Sequence, residues 1–505
     1  MKVYLLGAGP GDPGLLTRKA EDVLATADVV VYDYLASPKL LDLCRPDAEI
    51  LYVGKKGGDH TLPQDKINEL LVQKAKEGKI VARLKGGDPY VFGRGAEEAE
   101  ELLEAGVDFE VVPGVTSAVA GPAYAGIPIT HRKYASSVSF ITGHEDPTKA
   151  ESALNWDALA KSASTLVFFM GMKNLPMISR NLIAAGMRSD MPVALVHWGT
   201  TCRHRSLVST LETVAEDAVA HQFKAPSLIV VGEVVQLRDT LNTFERKPLL
   251  GKGVVVTRAR HQASSIAEDL AELGACVYEF PTIAIEPLAD MTHVVAAIEK
   301  LPEYDWLIFT SVNGVWNFFA ELNAMDKDTR ALGGVQVAAI GPATAEALEE
   351  YGVIPDFVPD KYVAESVVEG MLARGAAGKK ILIPRAKEAR EVLPDELRKA
   401  GAEVEILPVY ETVLAESGSE EIEEAMEAGD IHCVTFASSS TVDNFFKLVK
   451  PEALQKYEGG VKLACIGPVT AKTLAGYGFT PDIQPEDYTI PALVDAVAQA
   501  LGPKK

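Results

Sequence analysis

Lys2-Val3-Tyr4-Leu5-Leu6-Gly7-Ala8-Gly9-Pro10-Gly11-Asp12 decides how the first half of the chain folds. An apolar run of strand character passes into a glycine-rich turn, and a helix start follows it. That is the context of a dinucleotide-binding fingerprint, but the stretch departs from it twice. Asp12 stands where the third glycine belongs, and Pro10 removes one backbone N–H where a pyrophosphate needs it. A carboxylate at a helix N-terminus repels phosphate while capping the helix, with Pro13 suited to the first helical position. The turn therefore permits close backbone approach by a ligand without phosphate.

Further turns follow the same plan. Asp33 ends the strand Asp28-Val-Val-Val-Tyr-Asp33, about where such folds set an acidic residue against a ribose hydroxyl, and Lys55 follows a third strand. The stretch from Leu84 to Gly95 carries Gly86, Gly87, Gly93 and Gly95, more glycine than a turn needs unless backbone must meet ligand. Pro113-Gly114-Val115-Thr116-Ser117-Ala118 repeats strand, turn and a hydroxyl-bearing helix start. Strand-like runs alternate with helical patterns along the whole chain, which predicts an α/β architecture. Prolines and glycines between Pro113 and Arg132 divide the first half into lobes of about 1–115 and 116–240. The polar stretch over 238–252 marks the boundary to the second half and predicts a linker that permits independent motion.

Bulk properties limit the function classes. A length of 505 residues predicts three or four domains, and 47% hydrophobic with 24% charged residues is the composition of a soluble globular protein. The formal net charge of −22 argues against nucleic-acid binding, though not against an acidic small molecule held by a local basic field. No apolar run reaches the ~18 residues of a membrane span, and no signal core opens the chain, so a cytoplasmic protein is expected. Cys44, Cys202, Cys276, Cys433 and Cys465 are odd in number and far apart. They predict neither a disulfide framework nor a metal site, and they fit a reducing compartment.

The second half contains a repeat of about 127 residues. Gly251-Lys252-Gly-Val-Val-Val-Thr-Arg258-Ala-Arg260 returns as Gly378-Lys379-Lys-Ile-Leu-Ile-Pro-Arg385-Ala-Lys387. Phe309-Thr-Ser311 returns as Phe436-Ala-Ser438, and Ile340-Gly-Pro-Ala-Thr344-Ala as Ile466-Gly-Pro-Val-Thr470-Ala. Two similar α/β lobes follow, with a ligand cleft expected between them.

GAGPGDPGLLT, VYD, VGK, GGDPYVFGRG with a downstream Glu-Glu, and PGVTSA stand in the order and spacing of the uroporphyrinogen III C-methyltransferases. Residues 1–240 resemble that tetrapyrrole methylase family, and Phe168-Phe169-Met170-Gly171 and Trp198-Gly199-Thr200 are similar to its cofactor-contacting segments. The resemblance implies S-adenosylmethionine as cofactor, with S-adenosylhomocysteine as product. It implies cofactor contacts at Pro10, Gly86, Gly87, Asp88, Val91, Thr116, Ser117, Met170 and Gly199, and places Arg94 on the substrate side. Asp33 and Lys55 would be proton acceptor and donor; a ribose-holding Asp33 and a surface Lys55 are the plainer readings. A homodimer through this domain is also implied. The dehydrogenase–ferrochelatase module that precedes some members is not in this sequence, so oxidation and metal insertion are expected of other proteins.

Val-Thr257-Arg258-Ala-Arg260, Phe-Thr310-Ser311-x-Asn313-Gly314-Val315, the two Gly-Pro-x-Thr-Ala turns and Val409-Tyr410-Glu-Thr412 resemble uroporphyrinogen III synthase. That resemblance implies two flavodoxin-like lobes joined by a two-stranded linker, without a cofactor. Lobe one would be 250–281 plus 414–505, and lobe two 288–406. Tyr410 is the candidate proton donor to the leaving hydroxyl of a linear bilane, against a plain structural tyrosine. Ser311, Thr344, Ser438 and Thr470 are expected at turns facing the cleft, where each reads equally as a helix cap. Arg258, Arg260 and Arg385 suit substrate carboxylates. Together the halves imply a bifunctional enzyme that makes and then methylates uroporphyrinogen III. One alternative makes the second half a non-catalytic tetrapyrrole-binding module. Another, a nicotinamide-dependent oxidoreductase, is opposed by Pro10 and Asp12.

Overall fold

A computed structural model describes residues 2–54, 62–143, 154–257, 260–360, 364–389, 391–415, 418–457 and 459–503. The first sheet holds β1 (Lys2–Gly7), β2 (Val29–Tyr32), β3 (Glu49–Tyr52), β4 (Ile80–Lys85) and β5 (Phe109–Val112), all parallel, in the order β3-β2-β4-β1-β5. Parallel strands covered on both faces read as unbroken apolar runs, and Val29, Val30 and Val31 are all fully buried. Side chains alternate between two cores: Val3, Leu5 and Val31 pack with Leu71 and Leu102, whereas Leu6, Val30 and Leu84 pack with Leu24 and Leu40. Because β1 lies between β4 and β5, the loops after these three strands emerge side by side at the carboxyl edge.

The second sheet holds β6 (Val138–Thr142), β7 (Thr165–Phe169), β8 (Pro192–His197), β9 (Arg205–Thr210) and β10 (Ser227–Val231) in the order β6-β7-β10-β8-β9. Only β6 and β7 pair in parallel; β10 runs antiparallel to both its neighbours, and β8 to β9.

The remaining strands are β11 (Gly253–Val256), β12 (Cys276–Glu279), β13 (Ile283–Glu286), β14 (Trp306–Phe309), β15 (Gln336–Ala339), β16 (Lys380–Ala386), β17 (Glu403–Leu414), β18 (Ile431–Phe436) and β19 (Lys462–Cys465). They form a sheet β12-β11-β18-β19 and a sheet β13-β17-β16-β14-β15. Under the sequence repeat β11 corresponds to β16, β12 to β17, β14 to β18 and β15 to β19, so the two orders match strand for strand. Each sheet takes the first strands of one copy and the last strands of the other. The equivalence reaches side chains. Asp356 and Asp482 accept from the backbone of Val337 and Leu463 at 2.7 and 2.8 Å, and Phe319 on Tyr351 and Phe446 on Tyr477 stack at 4.3 and 4.5 Å. The exchange is bridged by β13 pairing antiparallel with the end of β17, from Ile283 opposite Leu414 to Glu286 opposite Glu411.

Two expectations are corrected at the junction of the halves. The polar stretch after residue 237 is folded rather than a free tether: Arg238–Leu241 and Phe244–Arg246 form single helical turns. Glu245 ties them down, accepting from His204 Nε2 at 2.8 Å, Ser206 Oγ at 2.5 Å and Asn242 Nδ2 at 3.0 Å, and pairing with Arg238. Burial alone would raise its carboxyl, but the bonds from His204 and Ser206, the Arg238 charge and the Asn242 amide hold it down at about 2. The second correction concerns the cysteines. Cys202 and Cys276, 74 residues apart, form a disulfide with Cα atoms 5.1 Å apart; Cys44, Cys433 and Cys465 are free. The two partners come from opposite halves, and only the folded linker brings them together. No described helix is long and apolar enough to cross a membrane.

A carboxyl depressed in the folded state stabilises it above the ordinary carboxylate range, and that contribution is lost as pH falls toward the folded value. Glu245→Gln is therefore expected to be less stable than the wild type at pH 7 by about 2 kcal/mol. Calorimetric unfolding should show the gap closing between about pH 4 and pH 2; a gap independent of pH would count against the network.

Candidate active site

The carboxyl edge of the first sheet brings three glycine turns into direct backbone contact. Gly9 N–H donates to the Gly87 carbonyl at 3.2 Å, Gly87 N–H to Gly9 at 2.7 Å, and Ala8 N–H to Lys85 at 2.7 Å. Added Cβ atoms at Gly7 and Gly114 would collide with each other's backbone, and one at Gly86 would come within 2.6 Å of Leu35 Cβ. The glycines thus have a structural cause that sequence reasoning assigned to ligand alone: the turns must first meet one another. Gly87, at φ +71°, is held in a left-handed conformation that an L side chain rarely adopts, and a Cβ placed there would lie in ordinary contact with Ser117 N at 3.8 Å.

Asp12 caps the 3-10 turn Pro13–Leu15, accepting from Gly14 N–H at 2.8 Å with Pro13 in the first position. Its second oxygen accepts from Tyr124 Oη at 2.6 Å, and burial together with that bond raises the Tyr124 hydroxyl. The Asp88 carboxylate accepts from Tyr90 N–H at 2.8 Å, Val91 N–H at 3.2 Å and Gly114 N–H at 3.0 Å, fastening the second turn to the third. Thr116 caps the helix Ser117–Tyr124. Pro10 lies between Gly9 and Gly11, both left-handed. Gly199 abuts Gly121, where a Cβ would come within 2.8 Å of the Gly121 Cα.

Five non-glycine residues on these loops hold left-handed backbone: Phe92, Arg94, Met170, Trp198 and Thr200, with φ of 54°, 60°, 53°, 45° and 74°. Such conformations persist where surrounding structure enforces them, and they gather at functional sites. Thr200 Oγ1 accepts from Asp12 N–H at 3.1 Å, so the second lobe closes on the first turn. Arg94 is exposed and spends its guanidinium on Glu97, at 2.9 and 2.6 Å.

Asp33 sits over a buried ionic cluster that sequence reasoning missed. Arg83 Nη2 donates to its Oδ2 at 3.0 Å, and Leu35 N–H to its Oδ1 at 3.2 Å. Arg83 and Lys85, both 3% exposed, converge on fully buried Glu98 at 3.3 and 2.6 Å, with Gln64 adding a bond at 3.1 Å. Burial, then the neighbouring Arg83 charge, lowers Lys85 despite the attraction of Glu98. The available signal was two cations two residues apart on an otherwise apolar parallel strand, a position that charged residues occupy only when paired. Lys55 lies outside the described residues.

In the second half, β16 and β17 slip by one residue: Arg385 pairs with Pro408 but Ala386 with Tyr410. Such a bulge re-aims the next side chain, and Tyr410 Oη meets Ser311 Oγ at 3.2 Å. Ser311 and Ser438 cap the helices Val312–Ala324 and Ser439–Leu448. Thr344 and Thr470 instead occupy the third helical position, each 4% exposed, behind Gly341 and Gly467 as caps. They are buried core residues rather than caps. Arg385 is 5% exposed and pairs with Glu391. Arg258 lies outside the described residues; Arg260 begins the helix Arg260–Glu272, and its side chain is likewise outside them.

The two sites define a tetrapyrrole methylase joined to a uroporphyrinogen-III synthase. A family model described as "Tetrapyrrole (Corrin/Porphyrin) Methylases" matches residues 2–215, and one described as "Uroporphyrinogen-III synthase HemD" matches 264–495. Across its length the chain is 38% identical, over 500 residues, to "Porphyrin biosynthesis protein HemD" of Ruminiclostridium josui, covering 99% of this chain and 98% of that one, and it belongs to that family. The "Uroporphyrinogen-III C-methyltransferase" of Bacillus subtilis is 43% identical over 70% of this chain and 72% of its own length. A solved uroporphyrin-III C-methyl transferase from Thermus thermophilus, complexed with S-adenyl homocysteine, is 40% identical over 47% of this chain and all of its own, with a TM-score of 0.41.

Because the three turns pack backbone on backbone, Gly114→Ala should separate them. S-adenosylhomocysteine binding measured by calorimetry is expected to weaken at least tenfold while the second half keeps its unfolding transition. Unchanged affinity would refute the glycine cradle as the cofactor site.

Proposed function

We propose that residues 250–505 close hydroxymethylbilane into uroporphyrinogen III with inversion of ring D, and that residues 1–240 methylate that ring at C-2 and C-7. The product is precorrin-2, for sirohaem or cobalamin. What carries the reading is the presence in one chain of a glycine cleft averse to phosphate and a second cleft with a hydroxyl pair at its hinge. The first cleft fits S-adenosylmethionine: Asp12 and Pro10 oppose phosphate, and Tyr34, Phe92 and Met170 leave apolar surface exposed at the rim. When bound, S-adenosylmethionine supplies an electrophilic methyl carbon.

The chain's own contribution is mainly to position the reactants. Pro10, Gly86, Gly87, Val91, Thr116, Ser117, Met170 and Gly199 hold the cofactor, and Asp88 acts through the turn it fastens. Arg83 orients Asp33, which accepts the proton lost from the ring, and Lys55 returns one. Arg94 leaves Glu97 to meet a substrate carboxylate. In the second cleft Tyr410, oriented by Ser311, gives a proton to the departing hydroxyl, while Ser438 lies at the opposite lobe and Arg258, Arg260 and Arg385 answer the carboxylates. Thr344 and Thr470 shape the cleft floor. The enzyme works as a homodimer in the cytoplasm.

Incubating the full chain with hydroxymethylbilane and labelled S-adenosylmethionine should place two labels on each macrocycle. Without methyl donor it should yield isomer III. Isomer I alone would reduce the second half to a binding module. Tyr410→Phe should slow closure about 100-fold with KM little changed. Asp33→Asn should lower methyl transfer about 100-fold with S-adenosylhomocysteine affinity intact; a matching loss of affinity would make Asp33 a cofactor ligand instead.

A further inference from the structure

A cavity of about 790 Å³ lies at the seam between the halves, with walls from both. Its volume is that of a site for a large organic ligand. Tyr34 and Trp198 stand on one side, their rings 5.6 Å apart edge to face, with Tyr34 exposed. Tyr34 directly follows Asp33 and Trp198 directly precedes Gly199, so the cavity adjoins the rim of the methyltransferase cleft. The far wall is Tyr278 and His432, from β12 and β18 of the synthase half.

The cavity's charge runs against that of the molecule. In a chain of formal net charge −22, Arg203, Arg205 and Lys224 all line it, and Asp430 is the one carboxylate among the lining residues. Among the described residues no carboxylate pairs with any of these three cations. Arg203 lies over the Trp198 ring at 5.1 Å; Arg205 lies over Phe223 at 4.9 Å and donates to the His221 carbonyl at 3.0 Å. Both guanidiniums are therefore placed by aromatic faces, leaving their charge without a partner. Burial, together with the charges of Arg205 and Lys224, lowers His197 beside them although backbone carbonyls oppose the shift. The walls are fixed to each other: Cys202 is bonded to Cys276, Gly251 N–H donates to the Cys202 carbonyl at 3.0 Å, and Leu249 N–H to Leu273 at 2.9 Å. His432 Nδ1 lies 3.1 Å from both the Gly253 N–H and the Asp430 carbonyl.

We propose that this seam cavity is a docking site for a tetrapyrrole bearing several carboxylates, beside the methyltransferase cleft, with which it shares Tyr34 at the rim, and apart from the reacting groups of both halves. Arg203, Arg205 and Lys224 take carboxylates, and the pyrrole faces lie against Tyr34 and Trp198. The inference rests on the functional reading above for the ligand's identity: the product of one half is the substrate of the other. The site sits where that ring is awaited, beside the methyltransferase rim.

The test uses the full chain and uroporphyrin III, the stable oxidised ring with eight carboxylates, titrated by calorimetry. Arg203 and Lys224 are exposed and belong to neither catalytic cleft, so Arg203→Glu and Lys224→Glu, singly and together, should fold as the wild type does. Each is expected to weaken one uroporphyrin binding event at least tenfold. Bilane closure, and methylation of saturating uroporphyrinogen III, should remain at the wild-type level. Affinity and stoichiometry unchanged in the double variant would overturn the site, as would a matching loss of methylation at saturation, which would assign the cations to the catalytic cleft. If the wild type neither closes bilane nor methylates the ring, the functional reading fails, while the binding result still decides whether the seam holds the macrocycle.

Discussion

Backbone packing against backbone, with no side chain between, is the constraint on which the methyltransferase half rests. Gly7, Gly87 and Gly114 lie at the ends of three adjacent parallel strands, and Gly7 and Gly114 meet each other and the Gly87 carbonyl because neither has a Cβ. The approach lets Gly9 and Gly87 exchange two hydrogen bonds and lets Asp88 reach across to Gly114. A carboxylate accepting backbone N–H groups makes strong, charge-assisted bonds, so one side chain locks two turns. The same economy of side chains leaves a surface of peptide groups. The features that make the fold possible here also shape the ligand cleft.

The ionic cluster beneath Asp33 extends that logic into the sheet. Charges removed from water are tolerated only when paired and hydrogen-bonded, and Glu98 answers both Arg83 and Lys85. With its other contacts inside the sheet, Arg83 presents only one edge to Asp33, which fixes the direction of that carboxylate. In the synthase half, position is set by register instead. The slip at Val409 lets a strand that began in one sheet continue as a linker, and it turns Tyr410 toward Ser311. A helix cap thereby becomes part of the cleft: the Ser311 hydroxyl holds Gly314 N–H and faces the tyrosine as well.

What the sequence made legible depended on whether the cause was local. Asp12 and Pro13 act within a few residues, and their capping geometry is as their types require. The repeat made two matching sheets readable, and Thr116, Ser311 and Ser438 cap their helices for the same local reason. Thr344 and Thr470 went the other way because a glycine three residues ahead of each took the cap position, which leaves each threonine buried inside its helix. Glu245 and the pair Cys202 and Cys276 were illegible because their partners lie across the fold. A polar stretch without periodicity reads as a tether, yet its polarity is spent on His204, Ser206 and Arg238. Thiols 74 residues apart carry no spacing signal, and only the docking of two halves brings them into range.

Net charge shows the same difference between sum and place. A total of −22 rightly disfavours a polyanion wrapped over the whole surface, but it says nothing about a concave site where a few cations face each other without counter-ions. Low-dielectric walls focus such a field, and the seam has the aromatic surfaces of Tyr34, Trp198 and Tyr278 to supply them. The acidic remainder sharpens the contrast, since the seam is a basic basin in an acidic chain. That basin exists because the halves are held together, by the hydrogen bond from Gly251 to Cys202 and by the bond between Cys202 and Cys276. Covalent fusion therefore does more than keep two catalysts at equal concentration: it creates a surface that neither half has alone.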